Sequence, residues 1–233
     1  MNFYKFILSV LFVTLLCADN QTAANILLQT FHRMDGINYR LLIDSKSSGK
    51  KKKEKHFEVA VYWPTDGKLL YKTRITSIKT KRKKPSSYWE HRFRNGRKAI
   101  KWISLPVTGK LKDVTDKKAG KKDFSLAELV VTEAEIRSHS HQLLPREKID
   151  TLSVYVIESI MKSKKGKVKE TKKLWIDTVS YMIMKVEFYT GSGRLYRSVE
   201  CSNFHYFDEL LFPMSIYIQD RKSKTDIEIT LKD

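Results

Sequence analysis

The sequence predicts a mainly β, antiparallel protein of about ten or eleven strands with few helices. Three observations carry this. Apolar residues recur with period two over most of the chain. Short turn signals separate the runs. Few segments between them have the length and periodicity of crossover helices, so antiparallel connections are favoured over βαβ units.

The one clear helical pattern is TAANILLQTFHRM (22–34). Ala23, Leu27, Phe31 and Met34 fall on one face, and Asp35-Gly36 ends the helix. Strand-like segments follow. INYRLLID places Tyr39, Leu41 and Ile43 on one side. HFEVAVYW does the same for Phe57, Val59, Val61 and Trp63. After the turn PTDG, KLLYKTRITSI sets Leu69, Tyr71, Thr73 and Ile75 against Lys72, Arg74 and Thr76. SYWEHRF and RKAIKWIS flank Asn95-Gly96, a strong hairpin signal. In the second half, TLSVYVIESIM and VKETKKLWID flank Lys164–Lys167, and YMIMKVEFY and RLYRSVECSNFHYF flank Gly191-Ser192-Gly193. LFPMSIYIQD, with Phe212, Met214, Ile216 and Ile218 on one face, and TDIEITL complete the series. No internal repeat is present.

The chain has 233 residues, 41% of them hydrophobic, enough for a real core. Its formal charge of +19 attracts acidic surfaces: nucleic acid, anionic lipid or acidic protein. The opening MNFYKFILSVLFVTLLCA has Lys5 and then a run from Phe6 to Leu16 that is apolar apart from Ser9 and Thr14. Spanning a bilayer takes roughly 20 residues, so this run fits a secretory signal peptide cut after Ala18. The expected organisation is a signal peptide, 1–18, and one domain, 19–233, in the periplasm. Nucleic acid is then not an expected partner. A lipid anchor on Cys17 is the weaker reading, because Leu16 is large for such a cleavage. Cleavage after Ala18 leaves Cys201 alone, without an internal disulfide.

Lysines concentrate at predicted turns, in 46–55, 79–84 and 162–173. They read either as solvated hairpin ends that discourage edge aggregation or as a patch for an anionic membrane surface. Constellations for catalysis are lacking. His139 and His141 put two imidazoles on one strand face without further ligands, so they read as exposed strand histidines and no metal site is expected. Cys201 and His205 are four residues apart, about 13 Å along a strand, too far for a dyad. No enzyme activity and no cofactor are expected.

Several ordered motifs resemble those of the outer-membrane lipoprotein-sorting protein family, whose fold is like that of the carrier LolA and the receptor LolB. Trp102 to Pro106 matches its Trp-x-x-Leu-Pro element. Asp123, Phe124, Ser125 and Leu129 match Asp-Phe-Ser-x-x-Asp-Leu, with Glu128 as the second acid. Lys173 to Asp177 matches a Leu-Trp-Ile-Asp strand, Tyr189 to Leu195 a Tyr-x-x-x-Gly-x-Leu hairpin, and Phe212-Pro213 the start of the penultimate strand. The resemblance covers roughly residues 35–232. Lys121-Lys122 replaces a usual Gly-Ser/Thr pair, and the chain is unusually basic.

The resemblance implies an incomplete, strongly curved antiparallel β-barrel with a helical lid. It also implies an apolar cavity for the acyl chains of lipoproteins or lipids, and sorting partners at the inner and outer membranes. The candidate lining is Trp63, Trp102, Trp175, Met182, Met184, Phe188, Phe212, Met214 and Ile216. Phe124, Leu126 and Leu129 are the candidate lid, with Ser125-x-x-Glu128 as its capping box. A lipid-anchored, LolB-like protein binding anionic membranes is the alternative.

Overall fold

The computed structural model describes residues 22–49, 53–64, 69–78, 86–93, 98–104, 108–116 and 131–232. The signal peptide, Cys17, the lid residues Phe124, Leu126 and Leu129, Leu105-Pro106 and the Asn95-Gly96 turn lie outside them. Thirteen antiparallel strands form one sheet whose end strands are not paired with each other. Two helices accompany it among the described residues.

The chain divides into two compact units. Among the described residues, one holds 34–116, 213–217 and 225–232. Its strands are β1 (Tyr39–Ser47), β2 (Lys53–Tyr62), β3 (Leu69–Ser77), β4 (Ser87–Phe93), β5 (Ile100–Ser104) and β6 (Leu111–Asp113), with β13 (Thr225–Lys232) on the outer side of β1. The first five predicted segments are all present. Register aligns Leu41 with Val59 and Val59 with Ile75, so the predicted apolar face of β1–β3 forms. Ile43 is fully buried on it, between Phe57 and Leu231. Gly36 takes the left-handed conformation expected of the turn before β1.

The other unit holds 22–33, 131–212 and 218–224. Helix α1 (22–32) buries Ala23, Ile26, Leu27 and Thr30. This face is rotated from the expected one, and leaves Phe31 at its margin. Helix α2 (Glu133–Ser138) leads into β7 (Ser140–Ile149), β8 (Leu152–Lys162), β9 (Val168–Asp177), β10 (Ile183–Thr190) and β11 (Leu195–Phe207), which pair in that order. The core is a cross-strand row: Ile157 opposes Leu174, Leu174 opposes Val186, and Val186 opposes Val199. Each is at most 3% exposed. Burying one such side chain contributes about 1.5–3 kcal/mol.

β12 (Leu210–Asp220) is shared, with Pro213–Tyr217 grouped in the first unit and its ends in the second. Its expected single apolar face is corrected. Leu211 and Pro213 are buried at its start and Ile216 and Ile218 at its end, so the alternation changes phase between them. Phe212 and Met214 are only partly buried. The strand count also exceeds the expected ten or eleven. β7 was hidden by Pro145 and the charged run after it, and its register shifts between Leu144 and Glu147. Proline is tolerated there because β7 ends the sheet.

The Gly191-Ser192-Gly193 turn needs both glycines for different reasons. Gly193, at φ +79°, has the left-handed backbone. Gly191 has no room: a β-carbon there would sit 2.3 Å from the carbonyl oxygen of Val168. Gly191→Ala should therefore destabilise the protein by about 2 kcal/mol, a fall in Tm of about 4–8 °C. Ser192→Ala, in the same turn, should leave the thermal transition nearly unmoved.

Candidate functional site

Side chains with chemical potential gather where α2 meets β7–β9. Thr132 begins α2 with a capping box: its hydroxyl accepts from the Glu135 N–H at 3.2 Å, and Glu135 accepts from the Thr132 N–H at 3.0 Å. The other Glu135 oxygen accepts from Lys172 Nζ at 2.6 Å, tying α2 to β9. His141 Nε2 donates to the Ile136 carbonyl at 3.0 Å. Its Nδ1 is buried without a partner among the described residues. His139 Nδ1 lies 3.4 Å from Ser159 Oγ. Leu27, Val131 and Leu174 complete the walls of a void of about 10 Å³, space for a single water.

The histidine expectation is corrected here. His139 lies in the bend after α2, so the two imidazoles do not share a strand, and His141 on β7 is buried instead of exposed. Their ring centroids are 6.4 Å apart. Among the described residues, no three His, Cys, Asp or Glu side chains are placed to hold a metal ion. A capping box forms at Thr132 and Glu135, whose Thr-x-x-Glu spacing was legible in the sequence; the expected one at Ser125 and Glu128 lies outside the described residues. Cys201 is buried, and burial pushes its thiol up to about 12, against the milder opposing effect of Arg33. It stays protonated and unreactive.

The nine candidate cavity residues divide between the two units, and within each unit they do not all share one face. Trp175 opposes Val156 and Lys185, on the face opposite to the Ile157–Leu174 row. Lys173 and Lys185 sit over its ring at 4.8 and 4.9 Å, and its indole N–H donates to Glu147 at 2.8 Å. Phe188 opposes Lys172, on the other face, with that ammonium 5.5 Å from its ring. Met184 is fully buried at a bulge in β10, and Met182 is buried in the preceding turn, where its carbonyl accepts from the Asp177 N–H. Phe212 stacks edge-on against Phe207.

In the unit of β1–β6, Trp63 and Trp102 also take opposite faces. Trp63 continues the Val59–Val61 face and packs on Tyr71, with its indole nitrogen buried and without a partner among the described residues. Trp102 opposes Trp89, which opposes Arg74 and, through it, Ala60. Met214 and Ile216 belong to this unit, part-buried and buried respectively. Its cleft of about 200 Å³ is lined by Lys46, Ser47, Ser48, Tyr217, Asp226 and Glu228. That lining is polar. None of the nine residues lines this cleft or the small void.

The α2 cluster makes stability acid-sensitive. Burial holds His141 and His139 below the ordinary 6.5, overriding in His141 the opposing pull of the Ile136 hydrogen bond. Burial alone would raise Glu135, but its bond and charge pairing with Lys172 hold it below 4.5. The unfolded chain thus binds more protons than the native one as pH falls below about 7. Both histidines and Glu135 lose stability in the same direction. The Tm should fall steadily from pH 7 to pH 4, and His141→Gln should flatten the upper part of that fall.

Comparison with known proteins follows the same architecture. Residues 72–233 match a family model described as uncharacterized protein-like. No curated protein matches the chain. A DUF1329 family protein from Desulfovibrio piger superposes with a TM-score of 0.73 at 13% identity, over 92% of each chain. An outer membrane lipoprotein-sorting protein domain from Vibrio parahaemolyticus gives 0.70 at 17% identity, again over 92% of each. A LolA superfamily protein from Nitrosomonas europaea gives 0.59 at 16%, over 91% of each. The chain belongs to the family whose model it matches over residues 72–233, and it has the LolA-like fold of the outer-membrane lipoprotein-sorting proteins.

Proposed function

We propose that this protein is a non-enzymatic carrier in the periplasm, which binds acyl chains of lipoproteins or lipids for outer-membrane lipoprotein sorting. The observation that carries this reading is the fold likeness to a lipoprotein-sorting domain along nearly the whole of both chains. The apolar run from Phe6 to Leu16 supports it as the core of an export signal, with 19–233 as the mature domain. Among the described residues, no helix is long and apolar enough to cross a membrane. Inner- and outer-membrane sorting partners belong to the same reading.

The chemistry needed is burial alone. Each methylene taken from water contributes about 0.8 kcal/mol. A chain of fourteen to sixteen methylenes therefore supplies about 10 kcal/mol before ordering costs. The void beneath α1 and α2 is far smaller than an acyl chain, so loading displaces side chains already in place. Phe188, on the helix-covered face, and Met182 and Met184 near it in the chain are the first candidates to yield. Methionine suits this because its unbranched thioether adapts to irregular shapes. Trp63, Phe212, Met214, Ile216 and the lid residues Phe124, Leu126 and Leu129 complete the proposed contacts.

Native mass spectrometry of protein taken gently from the cell envelope tests the proposal. The expected spectrum shows an added mass of lipid size that a competing fatty acid displaces, and Phe188→Asp should abolish it. A bare protein that also fails to take up a fluorescent fatty acid would overturn the reading.

A further inference from the structure

The charge of this chain is unevenly divided. The residues assigned to the unit of β1–β6 (34–124, 213–217 and 225–233) contain 27 Lys and Arg against 12 Asp and Glu. The other unit has 18 against 14. Of the net charge of +19, +15 (27 − 12) therefore belongs to one unit and +4 (18 − 14) to the other.

One face of that unit's sheet combines cations with aromatic rings. Register aligns Arg40, Ala60, Arg74, Trp89 and Trp102 across β1–β5. The next row along is Tyr62, Lys72, His91 and Ile100. The Arg74 guanidinium lies 5.6 Å from the centre of the Trp89 ring, and His91 meets Trp102 edge-on at 4.9 Å. The acidic groups of β1 and β2 on this face have basic partners. Glu58 is held by both Arg40 and Arg74, and Asp44 by His56 and Lys232. Asp113, beside Trp102, accepts from the Thr115 N–H.

The same face leaves apolar side chains in water. Six large apolar or aromatic side chains are strongly exposed among the described residues, and three of them fall here. Tyr62 is 47% exposed, Leu111, opposite Ser104, is 63%, and Ile78, which continues the alternation of Arg74 and Thr76, is 43%. Exposed aliphatic residues among tryptophans and cations need an occupant that takes all three. An anionic bilayer surface does. Tryptophan and tyrosine settle at the headgroup level. Aliphatic side chains enter the acyl boundary. Lysine and arginine reach anionic headgroups on their apolar stems. A nucleic acid would use the rings and cations, but it offers nothing to Ile78 and Leu111.

We infer that this face of β1–β6 docks the protein on an anionic lipid surface, with Trp89 and Trp102 at the headgroup level and Leu111, Ile78 and Tyr62 entering the bilayer's outer edge. The inference stands independently of acyl-chain loading, since it concerns a sheet face and not an enclosed site.

Vesicle sedimentation with the full chain tests it. One set of vesicles is pure phosphatidylcholine, and the other carries three parts in ten of phosphatidylglycerol. The expected result is binding that requires phosphatidylglycerol, weakens with added sodium chloride and shifts tryptophan emission to shorter wavelength. The triple variant Tyr62→Ser, Ile78→Ser, Leu111→Ser should bind at least tenfold more weakly. Val179→Ser, at a side chain 79% exposed in the other unit, should bind as the unchanged chain does. Trp89→Phe with Trp102→Phe should remove the spectral shift. Equal binding to both vesicle types, or undiminished binding by the folded triple variant, would overturn the inference. Binding to a single-stranded oligonucleotide with no binding to either vesicle would assign the face to nucleic acid instead.

Discussion

The fold depends on one long-range strand pairing. In the order β6-β5-β4-β3-β2-β1-β13-β12-β11-β10-β9-β8-β7, each strand pairs with its neighbours in sequence except at one place. There, residues 42–47 of β1 align with 227–232 of β13. All other pairings are hairpins or short meanders that form locally. The β1–β13 pairing closes a loop that includes most of the chain, so its entropic cost is the largest of any pairing. Burial of Ile43 against Leu231 and Phe57 offsets that cost where the two ends meet.

The sequence made the strands legible wherever one face is wet. β1–β3 show this, with Ile43, Val59 and Ile75 on the apolar side. It failed to sort faces where both sides are covered. Val59, Ala60 and Val61 are all buried, as are Leu174, Trp175 and Ile176. Period two carries no facing information in such runs, because neither phase is polar. Trp175 shows the difficulty: it is buried opposite Val156, yet lysine ammoniums sit over its ring and a carboxylate accepts from its indole N–H. A tryptophan beside two lysines looks like a core residue in the sequence. Only strand pairing shows that Val156 flanks it on one side and Lys185 on the other. The α2 cluster was missed because its members lie at residues 135, 139, 141, 159 and 172, brought together by strand pairing.

The two units divide physical tasks in a way that composition alone averages out. One has an almost balanced charge and a core of aliphatic rows with helices packed on it. The other concentrates the cations and displays rings and aliphatic side chains beside them. Lysine-rich turns also protect strand ends from adding further strands. That protective role and a role in attraction to anions are compatible, since both need only solvated positive charge.

The late position of β13 also bears on how the protein is made. β1 has β2 as a neighbour early in synthesis, but its other edge can be satisfied only once residues 225–232 have been polymerised. Until then that edge presents free backbone groups, the usual template for adding a foreign strand. A chain stopped before residue 225 would keep the hairpins of β1–β6 and still expose this edge. Quality-control factors that recognise unpaired strands therefore have a natural handle on incomplete copies, which disappears at the moment the last strand docks.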